Sequence, residues 1–353
     1  MTVRSIAMRQ TLKAARARSA SLDSLIERDP AAFRVLTGDR PTGPLHLGHY
    51  FGTLVNRVRL QRAGVELFVL VADYQVLTDR DVADRLEETV EGLVADYLAV
   101  GIDPATSVIF RHSAVPALNQ LLLPFLSLVT VAELRRNPTV KEEIAASGRA
   151  SVSGLMFVYP AHQAADILFC KANLVPVGQD QLPHQELTRT IARRFNDRYG
   201  EVFPVPDALL SQAPSLLGID GQKMSKSRGN AIALSATPDE TARLIKRAKT
   251  DEHRHITYEP ERRPEVANLI LLTARCQGRD PHDVAADIGG GGAAALKRTV
   301  TESVNEFLRP IRARRAEYAR DRDQVREVIA TGNQVANAVA DRTLAEVHAA
   351  MRS

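Results

Sequence analysis

Thiols are scarce in this chain. Cys170 and Cys276 are the only two in 353 residues, and neither stands in a CxxC or a Cys/His ligand spacing. That excludes a disulfide framework and a cysteine-built zinc site, and fits a reducing, cytoplasmic setting. Long apolar runs are missing too. The most apolar segment, 121–132, is interrupted by Pro124 and reads as a buried helix and not a membrane span. No GxxxxGK[ST] loop occurs, so P-loop nucleotide chemistry is excluded, and no internal repeat is visible. Acidic residues are absent before Asp23, while Arg4, Arg9, Lys13, Arg16 and Arg18 crowd the same stretch. Residues 1–30 therefore read as a basic, disordered tail, with a transit peptide as the alternative.

What is present is a globular composition: 44% hydrophobic and 25% charged, enough for a core and two domains. The net charge of +4 leans towards an anionic partner without deciding one. Arg309, Arg312, Arg314, Arg315 and Arg320 crowd a C-terminal stretch that reads either as an RNA-facing surface or as a solvated helix face.

Strand and helix signals alternate along the first half. Apolar strands are expected at 34–37, 66–73, 107–110 and 173–177, with helices from about Gly48, over 82–100 ending at Gly101, and over 182–195. That alternation predicts an α/β, doubly wound parallel sheet, followed by an α-helical C-terminal domain after residue 223. Pro116 to Arg149 reads as mostly helical, and 289–292 as a flexible glycine break.

Two stretches carry the chemistry. Thr37-Gly-Asp-Arg-Pro-Thr-Gly-Pro-Leu-His46-Leu-Gly48-His49 places two imidazoles at a helix start, where free N–H groups and the helix dipole favour an anion. Gly48 lets a bulky ligand approach the backbone. About 175 residues on, Lys223-Met224-Ser225-Lys226-Ser227 sets two lysines in a loop flanked by Gly221 and Gly229. Alone, either stretch has an ordinary structural reading. Together they describe a nucleoside triphosphate held between a helix start and mobile lysines that stabilise departing pyrophosphate. Asp166, set among Ala164, Ala165, Ile167 and Leu168, is expected to be buried and in need of a partner.

These stretches resemble the class I aminoacyl-tRNA synthetases and, within them, the tryptophanyl enzymes. The resemblance runs from about Arg34 to the C-terminus, through GDRPTGPLHLGHYFGTL, YPAHQAADIL, LVPVGQDQLPHQELTR, RRFNDRYG and KMSKSRGN in the family's order. It implies a Rossmann-type catalytic domain over 31–222 with an inserted dimerisation segment at about 113–165. It also implies an anticodon-binding helical domain over 223–353, and a homodimer acting on tRNA(Trp), L-tryptophan and ATP, with Mg²⁺ carried on the ATP phosphates and no protein-held metal.

Position by position, the resemblance places Gly38, Arg40, Pro41, Thr42, Gly48, His49, Gly178, Gln179, Asp180 and the loop Lys223, Met224, Ser225, Lys226, Ser227 against ATP. It gives His46, His49, Lys141, Lys223 and Lys226 the catalytic work. Leu36, Gln75, Tyr159, Gln163, Asp166, Ile167, Val175, Val177 and Gln181 would line the tryptophan site, with Asp166 accepting the indole N–H. The chain departs from the usual bacterial pattern at four places. HLGH replaces TIGN, Gln163 replaces Met, Gln75 replaces His and Gln179 replaces Glu, which resembles the divergent, second-copy bacterial type. A Gln75→His variant is expected to change inhibition by an indole-based analogue, measured as the inhibition constant. Three alternatives stay open: a tyrosyl-type enzyme, a non-charging regulatory paralogue, and a cytidylyltransferase-like transferase, which leaves the C-terminal half without a purpose.

Overall fold

The computed structural model describes residues 17–78, 85–137, 140–141, 153–210, 216–225 and 228–352. Five parallel strands form one sheet: β1 (Arg34–Asp39), β2 (Glu66–Val71), β3 (Ser107–Arg111), β4 (Leu174–Val177) and β5 (Asp207–Leu210), in the order β3-β2-β1-β4-β5. The chain builds outward from β1 to β3, then returns to the other side of β1 to add β4 and β5. The carboxyl ends of β1 and β4 are therefore the point where strand order reverses, and a crevice opens at such a point in doubly wound sheets.

Both faces of the sheet are covered, and the period-2 alternation of strands sorts the side chains. Val35, Leu67, Val69, Val71, Ile109, Leu174 and Leu209 belong to one apolar cluster. Leu36, Phe68, Leu70, Phe110, Val175, Val177 and Leu210 belong to another. The first face is packed by α1 (Val55–Ala63), α2 (Leu86–Val100) and helices of the C-terminal half. The second is packed by α3 (Gly154–Leu168), α4 (Leu182–Tyr199) and the last helix. Gly101 closes α2 in the left-handed region at φ 104°, as its position in the sequence predicted.

The C-terminal half contains α5 (Pro238–Lys246), α6 (Pro264–Gln277), α7 (Gly292–Arg320) and α8 (Arg322–Ala350). In place of a loose glycine break, Gly289–Gly291 form a 3-10 turn leading directly into α7. At Gly332, α8 presses on β3, and a Cβ there would sit 1.8 Å from the Ile109 carbonyl oxygen. Gly332→Ala is expected to lower stability by about 1–3 kcal/mol through forced separation of helix and strand. Urea unfolding checks this, and an unchanged midpoint would contradict it.

Several expectations need correction. Residues 17–28 are not a disordered tail but a helix, because Leu22 and Ile26 bury against the first face at 1% and 0% exposure. Arg18 pairs with Asp207 at 2.6 Å, and Ser19 Oγ accepts from the Leu210 N–H. The basic residues before 17 lie outside the described residues. Segment 121–132 is not one helix; Leu122–Leu126 and Val131–Arg136 are separate short helices. The C-terminal arginines are largely spent inside the molecule. Arg314 donates to the Ala99 carbonyl, Arg315 pairs with buried Asp96, and Arg312 donates to Thr241 and Asn305. They fasten α7 to α2 and α5, and among the described residues Arg309 reaches Glu306 on its own helix.

Candidate active site

β1 ends at Asp39, and the Arg40-Pro41-Thr42 turn follows at the crevice. Gly38 lies so close to β2 that a Cβ would be 2.4 Å from the Leu70 oxygen. Asp39 is fixed by Arg57 Nη1 at 2.6 Å and by the Tyr97 hydroxyl at 2.8 Å, while Arg57 also donates to the Gly38 carbonyl. Burial alone would raise the Asp39 carboxyl, but the Arg57 guanidinium overrides it and holds the group well below the usual carboxylate range.

The two signature stretches meet. Leu47 N–H donates to the Ile232 carbonyl and Leu234 N–H to the Leu45 carbonyl, so 45–47 and 232–234 run side by side. Met224 is buried, with its sulfur 3.3 Å from the Gly48 nitrogen. A Cβ on Gly48 would lie 3.0 Å from the His46 ring and 3.1 Å from that sulfur, so the absence of a side chain is what permits the contact. Asn230 holds the loop's base: its Oδ1 accepts from Ser225 N–H, and its Nδ2 donates to Asp220 and the Lys223 carbonyl. Lys223 is exposed. Lys226 and Ser227 lie outside the described residues.

The helix start differs in detail from the expectation of free N–H groups. Leu47 N–H is already bonded to Ile232, and Gly48 N–H meets a thioether, a weak acceptor that a phosphate oxygen would outcompete. His46 and His49 rings lie 3.7 Å apart, and His49 Nδ1 accepts from the His46 backbone N–H at 3.2 Å. That acceptance leaves Nε2 as the proton-bearing nitrogen of a neutral His49 ring.

The expected amino-acid residues gather on the second face. Tyr159, Gln163, Asp166 and Ile167 follow i, i+4, i+7, i+8 on α3 and so share one side of it. Leu36, Ile167, Val175 and Val177 join the same apolar cluster. Tyr159 is buried, with its hydroxyl 3.0 Å from His184 Nε2. Gln75 and Gln163 are half-buried, and Gln181 precedes α4. Gly178 caps the short turn Gln179–Gln181 at the end of β4, with Gln179 exposed; the Asp180 side chain is outside the described residues. Lys141 is exposed, and among the described residues no side-chain bond joins it to the two signatures.

Asp166 is 1% exposed, and its protein partner is one the sequence did not reveal. His112, immediately after β3, places Nε2 2.7 Å from Asp166 Oδ1. Oδ2 of Asp166 has no hydrogen-bond partner among the described residues, and neither does His112 Nδ1 or His162 Nδ1. His162 Nε2 lies 2.7 Å from Asn119 Oδ1, and burial pushes its imidazole below the ordinary histidine value. Beside this trio is a cavity of about 400 Å³ lined by Tyr74, Ser113, Pro116, Asn119, Gln120, Leu122, Leu155 and His162. Asp166, Tyr159 and the β4 valines do not line it. The cavity lies on the His162 side of the trio.

His112, His162 and Asp166 also offer atoms of metal-ligand type within 4.8 Å of one another, a grouping the sequence analysis did not anticipate. Two of those side chains already share a hydrogen bond, which a cation would have to displace.

The family described as tRNA synthetases class I (W and Y) matches residues 28–309. The chain belongs to that family. A tryptophan–tRNA ligase of Streptococcus pyogenes serotype M1 is 43% identical over 332 residues, covering 90% of this chain and 97% of the relative. The Treponema pallidum tryptophan–tRNA ligase is 42% identical over 90% of this chain and 96% of its own length. Among solved structures, Campylobacter jejuni tryptophanyl-tRNA synthetase complexed with ADP and tryptophan superimposes with a TM-score of 0.79. It is 28% identical and covers 91% of this chain and 100% of that one. The parallel sheet with its helical C-terminal half is thus the fold of this synthetase family, and the HxGH and KMSKS stretches are its signatures in this chain. No helix among the described residues is long and apolar enough to cross a membrane.

Proposed function

We propose that the chain ligates L-tryptophan to tRNA(Trp) in two steps. The tryptophan carboxylate attacks the α-phosphate of ATP, the bond to the β-phosphate breaks, and pyrophosphate leaves. The terminal 2′-hydroxyl of the tRNA then attacks the carbonyl of the adenylate and releases AMP. The observation that carries this reading is the contact of Met224 with Gly48, which seats the lysine loop over the helix start at the point of strand reversal. A triphosphate between them meets Gly48 N–H, His49 Nε2–H and Lys223, with Lys226 completing the loop. Arg40, Pro41 and Thr42 face the nucleotide, as do Gly178, Gln179 and Asp180 across the crevice. Such a site works by positioning and electrostatics and needs no protein nucleophile. Mg²⁺ travels on the ATP phosphates.

Specificity in this reading belongs to Asp166, whose buried Oδ2 accepts the indole N–H; the names of the 42–43% identical relatives support tryptophan as the amino acid. Exposed Leu123 at 75% and Val131 at 57% support a homodimer through the 113–165 segment. The proposed setting is the cytoplasm.

Pyrophosphate exchange into ATP, run with each amino acid in turn, tests the assignment. Tryptophan alone should drive exchange. Exchange driven by tyrosine would transfer the chain to the other half of its family, and no exchange with any amino acid would favour the non-charging paralogue.

A further inference from the structure

Resting on the reading of Asp166 as the indole acceptor, we propose that His112 is the positioning residue that makes it one. Its Nε2–H occupies Oδ1 and thereby commits Oδ2 to the substrate N–H.

The protonation of the network follows from its neighbours. An ionised carboxylate only accepts, so the 2.7 Å contact with Asp166 requires a proton on His112 Nε2. Asn119 donates its Nδ2 protons to the His112 and Val115 carbonyls, each at 3.0 Å, which fixes the amide orientation and turns Oδ1 towards His162. His162 Nε2 therefore also carries a proton, and its Nδ1 is a lone pair. Among the described residues Asp166 Oδ2, His112 Nδ1 and His162 Nδ1 are buried without hydrogen-bond partners, and the Asp166 oxygen and the His162 lone pair are acceptors. Buried acceptors of this kind are costly unless a donor arrives, and the indole N–H is that donor.

His112 is itself held in place. Tyr74 stacks on it with centroids 6.2 Å apart and 19° between the planes, and His162 packs on it at 4.7 Å. Asn119 joins the His112 backbone to the His162 ring, and Tyr74, Asn119 and His162 all line the adjoining cavity. A carboxylate held at one oxygen cannot swing to offer a different edge. Its remaining lone pairs face one direction, which is the requirement for discriminating an N–H from an isosteric group without one.

The test is the ratio of kcat/KM for tryptophan to that for β-(3-benzothienyl)alanine, in which sulfur replaces the indole N–H, measured by pyrophosphate exchange. Asp166→Ala should collapse the ratio. His112→Leu should lower it about 10–100-fold, the worth of a hydrogen bond to a charged group, chiefly through KM for tryptophan, with KM for ATP unchanged. His112→Gln, whose amide reaches as far as Nε2, should restore most of the ratio. His112→Asn, whose amide falls short, should not. If Asp166→Ala keeps the wild-type ratio, the indole assignment falls and this proposal with it. If Asp166→Ala collapses the ratio while the His112 variants keep it, only the positioning role is overturned. Equal losses in the Leu, Asn and Gln variants would also overturn it, since packing and not a hydrogen bond would then be the cause. Should the Leu variant fail to fold, the Gln and Asn pair decides.

Discussion

Asp166→Asn is expected to fold and to fail with tryptophan. The asparagine carbonyl can still accept the His112 Nε2–H, so the buried imidazole keeps its partner and the core keeps its shape. Its amide nitrogen, however, replaces the oxygen proposed to accept the indole N–H, and two donors would then face each other. A site that buries a polar group for one substrate contact loses about 10⁴–10⁵-fold in kcat/KM when that contact is lost. KM for ATP should be unaffected, because the nucleotide is proposed to lie against residues 38–49 and 178–180 and the loop from Lys223. Asp166→Ala should lose as much activity and also stability, by about 1–3 kcal/mol, since His112 is left with a buried donor and no acceptor. Thermal unfolding of both variants beside tryptophan-dependent exchange separates recognition from folding. Wild-type kcat/KM in the asparagine variant would remove Asp166 from the substrate site.

Where the sequence could be read, its local chemistry matched what the fold required. Strands buried on both faces appear as continuous apolar runs, so β1 to β4 stand out; the HxGH and KMSKS stretches stand out because small residues and charges recur at fixed spacing. β5 escaped because Asp207–Leu210 is only four residues long and lacks β-branched side chains; it is a strand because β4 offers it a free edge. The helix over 17–28 escaped because the basic run ahead of it in the sequence drew attention from Leu22 and Ile26, four apart and buried in the first apolar cluster. His112 escaped for a different reason. It pairs with a residue 54 positions away, and only the return of α3 across the end of β3 brings them together. A histidine directly after an apolar strand, in a fold whose strand ends carry the site, was the available signal. The arginine-rich stretch shows the converse, because composition there resembled a nucleic-acid surface while Asp96, Ala99 and Thr241 were waiting inside the molecule.

The ion pair of Asp39 and Arg57 links stability to the Arg40-Pro41-Thr42 turn proposed to face the nucleotide. Arg57 is only 2% exposed and Asp39 16%, so neither is well solvated. Arg57→Leu should cost about 3–5 kcal/mol at neutral pH, because removing one partner leaves a charge buried and uncompensated. Asp39 ends β1 directly before Arg40, so the same variant should raise KM for ATP in whatever folded enzyme remains. The pH dependence has a definite sign. In the parent, the Asp39 carboxyl is depressed, so its contribution is complete above the unfolded carboxylate value and is lost only as pH falls through the still lower folded value. In the variant, burial without the guanidinium raises that carboxyl, and acid neutralises it and relieves the strain. The stability gap between parent and variant should therefore narrow as pH falls into the acid range, seen by urea unfolding at neutral and acid pH. Arg57→Met combined with Asp39→Asn should recover part of the loss at neutral pH, because no charge then remains to be compensated, and Tyr97 keeps an acceptor in the asparagine carbonyl. A gap that widened with acid would place the stabilisation elsewhere than in this pair.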